Sequence, residues 1–239
     1  MFDVISKREF WSWHDAGLAE TNRIDLKGIQ DAYIASRLDD VRGARILEIG
    51  GGNSRVLSVL SEPPRGNECW NAERFEGVGG GPLANENDAS RIKLASCFVG
   101  EFSSELPDGY FDYVISVSVV EHVATADLEA FFADSARVLR PGGQILHAID
   151  VYLLDHDADL ARAEAQRGRI RSYLSFGNRR DLGICFTEAP AIDESVSFRC
   201  SYATNADIAM NQWNRLVPDL RPLREIAQSV SLKAEWTRR

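Results

Sequence analysis

Ala44-Arg45-Ile46-Leu47-Glu48-Ile49-Gly50-Gly51-Gly52-Asn53-Ser54 is the stretch that decides the fold. The apolar run to Ile49 reads as a buried strand. It ends in three glycines, which tolerate φ > 0 and let backbone approach a neighbour closely. A helix is expected to start near Asn53-Ser54.

Upstream, Leu26, Ile29, Tyr33, Leu38 and Val41 fall near helical spacing, which predicts an amphipathic helix over roughly 24–40. Residues 2–14 are rich in aromatics. Downstream, Cys69 to Ala72 should be a second strand and Cys97-Phe98-Val99 a short third one. Phe111 to Ser118 and Ile145 to Ile149 should be the fourth and fifth. A helix marked by Leu128, Phe131, Phe132 and Leu139 precedes the turn Pro141-Gly142-Gly143. Strands alternating with helices predict an α/β fold, a doubly wound, mostly parallel seven-stranded sheet. The expected organisation is a single domain over 1–239. Within it lie an N-terminal aromatic lid and helix (1–40), a ligand-binding half (44–150), a helical insertion on the acceptor side (151–195), and C-terminal strands with a helix (196–239). Val196 to Tyr202 and Val230 to Trp236 should be strands, with a helix near 205–215.

The chain has 239 residues, 44% of them hydrophobic and 26% charged, enough to bury a substantial core. Its net charge of −9 argues against a nucleic-acid partner. No run of 18 apolar residues occurs, so no membrane span is expected. The N-terminus lacks the layout of a signal peptide. Cys69, Cys97, Cys185 and Cys200 are widely spaced and read as reduced thiols of a cytoplasmic protein.

Ligands of such sheets bind at the carboxyl ends of the strands. Glu48 lies two residues before Gly50, and Glu73 lies 21 after Gly52, the spacing of an acid that holds a ribose diol. A dinucleotide fingerprint wants a third spaced glycine where this chain has Arg55. An acid at the strand end suits instead a ligand with cationic parts, the α-ammonium and sulfonium of S-adenosylmethionine.

The segment Ile46 to Ser54 resembles the first motif of class I S-adenosylmethionine-dependent methyltransferases. Three further stretches are similar to that family's: Gly100-Glu101-Phe102 to its adenine-contacting segment, Ser116 to Val123 to its fourth-strand segment, and Val138-Leu139-Arg140-Pro141-Gly142-Gly143 to the turn before strand five. The resemblance covers about 44–150. It implies a Rossmann-like methyltransferase with S-adenosyl-L-methionine held by Glu48, Gly50, Gly51, Gly52, Ser54, Glu73, Glu101, Phe102 and Ser118. Glu73 and Glu101 stand where the family more often has Asp, and the glycine cluster at 77–82 is not standard for it.

Methyl transfer to a hydroxyl needs a proton acceptor. The candidates lie at the ends of strands four and five: Glu121 and His122 on one, His147 and Asp150 on the other. His147 is the first choice, although it and Asp150 have opposite parity on a strand. Trp11, Trp13 and His14 are candidates for stacking on a sugar ring or planar acceptor. Six arginines at 162, 167, 169, 171, 179 and 180 could face an anionic acceptor, and Asn211, Gln212, Trp213 and Asn214 could bind a hydroxyl. Asp150, Asp155, His156 and Asp157 offer ligands for a divalent metal, which is not favoured because strand four ends in serines. The expected function is methylation of a small-molecule acceptor, a hydroxyl on a saccharide or natural product. Carboxylate or amine methylation, an inactive partner subunit and a homodimer remain open.

Overall fold

The structure, a computed structural model, describes residues 1–18, 26–76, 91–154, 160–194, 218–220 and 227–239. The strands are β1 (Phe2–Val4), β2 (Arg45–Ile49), β3 (Glu68–Ala72), β4 (Ile92–Ala95), β5 (Phe111–Val117), β6 (Leu139–Leu154), β7 (Ile184–Phe186) and β8 (Ala227–Arg238). The helices are α1 (Lys7–Asp15), α2 (Leu26–Leu38), α3 (Arg55–Leu60), α4 (Leu128–Val138) and α5 (Leu160–Phe176).

Seven strands form the path β1-β8-β6-β5-β2-β3-β4, and β7 pairs with β8. The sheet thus has eight strands among the described residues, one more than the sequence predicts. The central pairs β4·β3, β3·β2, β2·β5 and β5·β6 are parallel, while β8 runs antiparallel to β6, β1 and β7. The order turns back between β2 and β5, and the Gly50 turn lies at that switch point, where ligands of such sheets bind. The third strand lies at Ile92–Ala95, not at Cys97–Val99, because residues 92–95 are the ones that pair in register with β3.

Parallel strands need both faces covered. Alternate residues supply two cores. On one face Ile46, Ile115, Leu146 and Ala148 meet Ile29, Tyr33 and Ile34 of α2 and Val56, Leu57 and Leu60 of α3. On the other, Leu47, Val114, Ile145 and Ile149 meet Phe131 and Phe132 of α4 and Ile170, Tyr173 and Phe176 of α5. Phe132 stacks on Phe176 at 4.3 Å between centroids, docking the insertion helix onto the sheet. The carbonyls at the end of α4 lack helical partners. Arg238 of β8 donates to those of Ala136, Arg137 and Leu139.

The three-residue β1 sets the start of α1. Ile5 N–H donates to Ser231 O at 2.9 Å, and Ser231 pairs with Asp150 across β6·β8, so α1 leaves the sheet at its carboxyl edge. Ser6 and Glu9 form a capping box at its first turn. Among the described residues no helix is long and apolar enough to cross a membrane. The expected strand at 196–202, the helix near 205–215, the glycine cluster at 77–82, the side chains of Asp155, His156 and Asp157, and the cluster 211–214 lie outside the described residues.

Truncation of the stacked ring tests how α5 is held. Phe132→Ala is expected to lower unfolding free energy by about 3–5 kcal/mol, read from urea denaturation.

Candidate functional site

The glycine turn is built around a buried acid. Glu48 ends up on the α2–α3 face of β2 and is almost fully enclosed, with Oε2 lacking a hydrogen-bond partner among the described residues. Burial pushes its carboxyl up to about 7, against a hydrogen bond from Ser54 that pulls it down. The Ser54 hydroxyl also accepts the Leu57 N–H at 2.8 Å, capping α3.

Each glycine of the turn is there for a different reason. A Cβ at Gly50 (φ 66°) would lie 2.7 Å from a Val119 methyl, and one at Gly51 would lie 2.9 Å from the Glu48 carboxyl. At Gly52 (φ 51°) no atom of the described residues lies within 4 Å of an added Cβ, so on their side the turn is open. The neighbouring strand closes the turn. Asn71 Oδ1 accepts the Gly51 N–H at 3.1 Å while its Nδ2 donates to Gly52 O at 3.1 Å. Glu73 Oε2 accepts the Gly52 N–H at 3.3 Å and Oε1 the Phe75 N–H at 2.8 Å. Asn71 was not singled out from sequence; its role follows from the β2·β3 register, which sets it beside Glu48.

Past β4 the segment 100–102 brings Phe102 to the same edge with its ring half exposed. Glu101 turns outward, where it pairs with Arg74 and takes no part in the turn. Past β5 comes a polar network. Ser118 Oγ donates to Asp150 Oδ1 at 2.6 Å, Gln30 Nε2 donates to the same oxygen at 2.6 Å, and Gln30 Nε2 also reaches Ser231 Oγ at 3.2 Å. Glu121 follows in a short 3-10 turn with both carboxylate oxygens buried and, among the described residues, without a hydrogen-bond partner. Desolvation, then the charge of Asp150, raises its carboxyl to about 8. His122 points to solvent.

His147 is the clearest correction. It is fully buried on the α4–α5 face, between the rings of Phe131 and Trp236 at 5.8 and 5.7 Å. Its Nδ1 shares a 2.8 Å hydrogen bond with Ser116 Oγ, and desolvation depresses its pKa to about 3. Opposite parity puts His147 on this face and Asp150 on the other, beside Gln30. A neutral, enclosed imidazole offers no proton path to the carboxyl edge of the sheet.

Three of the insertion's arginines are engaged elsewhere. Arg169 donates to the carbonyls of Val120 (2.8 Å) and Val123 (3.0 Å), bracing the Glu121 turn from α5. Arg179 pairs with Glu129 and Asp181, and Arg171 lies near Glu164 and Glu194. Of the aromatic lid, Trp13 packs toward Tyr33 at 6.1 Å, while Trp11 is 48% exposed and edges His14 at 5.3 Å. No group of three metal-ligating side chains gathers among the described residues.

Residues 47–147, under half of the chain, match the family model described as a methyltransferase domain. The sequence has no significant match among curated proteins. Solved structures with a similar fold include a Galdieria sulphuraria protein assigned as a sarcosine dimethylglycine methyltransferase (15% identity, 97% of each chain covered, TM-score 0.59). A second is the geranyl diphosphate C-methyltransferase of Streptomyces coelicolor A3(2), solved with Mg2+, geranyl diphosphate and S-adenosyl-L-homocysteine (10% identity, 87% of this chain and 77% of that one, TM-score 0.59). A third is phosphoethanolamine N-methyltransferase 2 of Haemonchus contortus with S-adenosyl-L-methionine (15%, 98% and 57%, TM-score 0.55). Residues 47–147 thus resemble a methyltransferase domain, and the Rossmann-like fold is shared with proteins solved with S-adenosyl-L-homocysteine or S-adenosyl-L-methionine. The buried Oε2 of Glu48, the open side of the turn at Gly52 and the half-exposed Phe102 ring fit the ammonium, backbone and base of S-adenosylmethionine.

The raised Glu121 carboxyl has a consequence for stability. The folded state keeps its proton between the ordinary carboxylate range and about pH 8, the unfolded state does not, and stability drains away as pH rises through that window. Glu121→Gln is expected to match wild type near pH 4 and exceed it by about 4 kcal/mol at pH 9, measured by chemical denaturation at both pH values.

Proposed function

We propose that this protein transfers the methyl group of S-adenosylmethionine to a hydroxyl of a small molecule, a saccharide or natural product, with Glu121 as the proton acceptor. The observation that carries the choice of base is Glu121's pair of buried oxygens, unpartnered among the described residues, at the end of β5 beside Asp150. A carboxyl near pKa 8 is matched to accepting a proton at neutral to mildly alkaline pH.

In this reading Glu48 faces the cofactor's ammonium, Gly51 and Gly52 approach its amino-acid portion, and Glu73 takes the ribose hydroxyls in exchange for its backbone contacts. When bound, S-adenosylmethionine supplies an electrophilic methyl on a sulfonium. Ser118, Gln30 and Asp150 orient the acceptor so that its oxygen lies in line with that methyl, an alignment that can supply roughly 7–11 kcal/mol of a barrier. Glu121 receives the hydroxyl proton as the new C–O bond forms, and the C–S electron pair stays on sulfur. Trp11 and His14 sit on the helix that starts at this edge and would cover the acceptor.

A second reading is favoured by the two acids themselves. Asp150 is the largest charge raising Glu121's proton affinity, and a cationic amine entering between them would relieve that repulsion. N-methylation would then begin with loss of an ammonium proton to Glu121.

The test is transfer of labelled methyl to a panel of hydroxyl and amine acceptors. The rate with the true acceptor should climb with pH toward about 8. Glu121→Gln should lower it by about 10²–10⁴ with cofactor affinity unchanged. Full activity in that variant would remove Glu121 from the chemistry.

A further inference from the structure

Phe102 has φ of 55°, in the left-handed region that a bulky residue enters only when its surroundings insist. What insists is Asp134, a fully buried carboxylate on α4. Its Oδ2 accepts the N–H of Gly100 at 2.7 Å and the N–H of Phe102 at 3.1 Å. Its Oδ1 accepts from Arg137 Nε at 2.7 Å. Arg137 donates onward to the carbonyls of Leu106 (2.8 Å) and Ser103 (3.2 Å).

Gly100 (φ 111°) is pressed against the same helix, where an added Cβ would sit 3.2 Å from the Phe131 nitrogen. A buried carboxylate is costly unless its lone pairs are used. Its hydrogen bonds go to the segment that carries the Phe102 ring and to the arginine bracing the residues just beyond it. The ring itself is 50% exposed at the carboxyl edge, on the β4 side of Glu73 and away from Glu121.

We infer that Asp134 is a positioning residue for the purine end of the cofactor: by holding Gly100 and Phe102 in their left-handed path it sets the Phe102 ring as the face on which adenine stacks. This rests on the cofactor reading above and adds to it a residue on the opposite face of the sheet, remote from the turn itself. A flat, half-exposed aromatic ring binds a base by stacking, and stacking is sensitive to ring tilt.

The experiment is a double-mutant cycle with S-adenosyl-L-homocysteine as the titrant in calorimetry, on the full chain. Phe102→Ala and Asp134→Asn should each weaken binding by about tenfold. The double variant should be no weaker than about threefold beyond the weaker single one, because Asp134 acts through the ring. A double variant showing the product of the two losses, or either single variant binding like wild type, overturns the inference. Should Asp134→Asn not yield folded protein, Asp134→Glu, which keeps the charge and displaces the carboxylate, takes its place in the cycle. Failure of the wild type itself to bind would instead bring down the cofactor reading, an outcome distinct from an additive cycle.

Discussion

One carboxylate oxygen, Oε2 of Glu48, is out of water with no hydrogen-bond partner among the described residues, and the glycine turn is folded around it. Burying such a group costs free energy unless a partner arrives. The surroundings hold the arrangement in place. Ser54 reaches it from α3, Gly51 has no room for a side chain because the carboxyl occupies that space, and Asn71 and Glu73 tie the turn to the next strand. Asp31 and Arg55, paired at 2.6 Å, join α2 to α3 above it. A cation is the natural complement to this acid.

The same edge shows one device three times. Among the described residues the non-glycine positions with positive φ are Phe75, Phe102 and Ser118. Each follows a strand of the parallel core, and each is held by a carboxylate: Glu73, Asp134 and Asp150 respectively. Strain of this kind persists only where the surroundings over-determine it. Here it turns three successive strand ends toward a common edge of the sheet. The two faces of the sheet share the work, since Asp150 acts with Gln30 of α2 and Asp134 belongs to α4.

What could be read from the chain was mostly local. The run from Ile46 to Ser54 carries strand, turn and cap within a few residues, and Glu73 is found by counting. Parity alone separated His147 from Asp150. Enclosure of His147 was invisible, because Phe131 and Trp236 are far away in sequence and meet it only through packing. Asn71 and Asp134 carry no motif; one acquires its role from strand register and the other from helix docking. The short β1 and the displacement of the third strand to Ile92–Ala95 depend on pairing with β8 and β3, where the more apolar Cys97–Val99 misled. Arg169, Arg171 and Arg179, read as part of an anion patch, act as a brace and as surface pairs, since composition does not reveal partners such as Glu129 or the carbonyl of Val120.

The most direct measurement is the proton balance of S-adenosylmethionine binding at pH 7, obtained by calorimetry in buffers of different ionisation enthalpy, for wild type and Glu48→Gln. With the acid near half-protonated in the free protein, a cation settling on it should expel about half a proton more from wild type than from the variant. The variant should also bind more weakly. Identical proton balance and identical affinity in the two proteins would contradict the claim that Glu48 receives the ligand's positive charge.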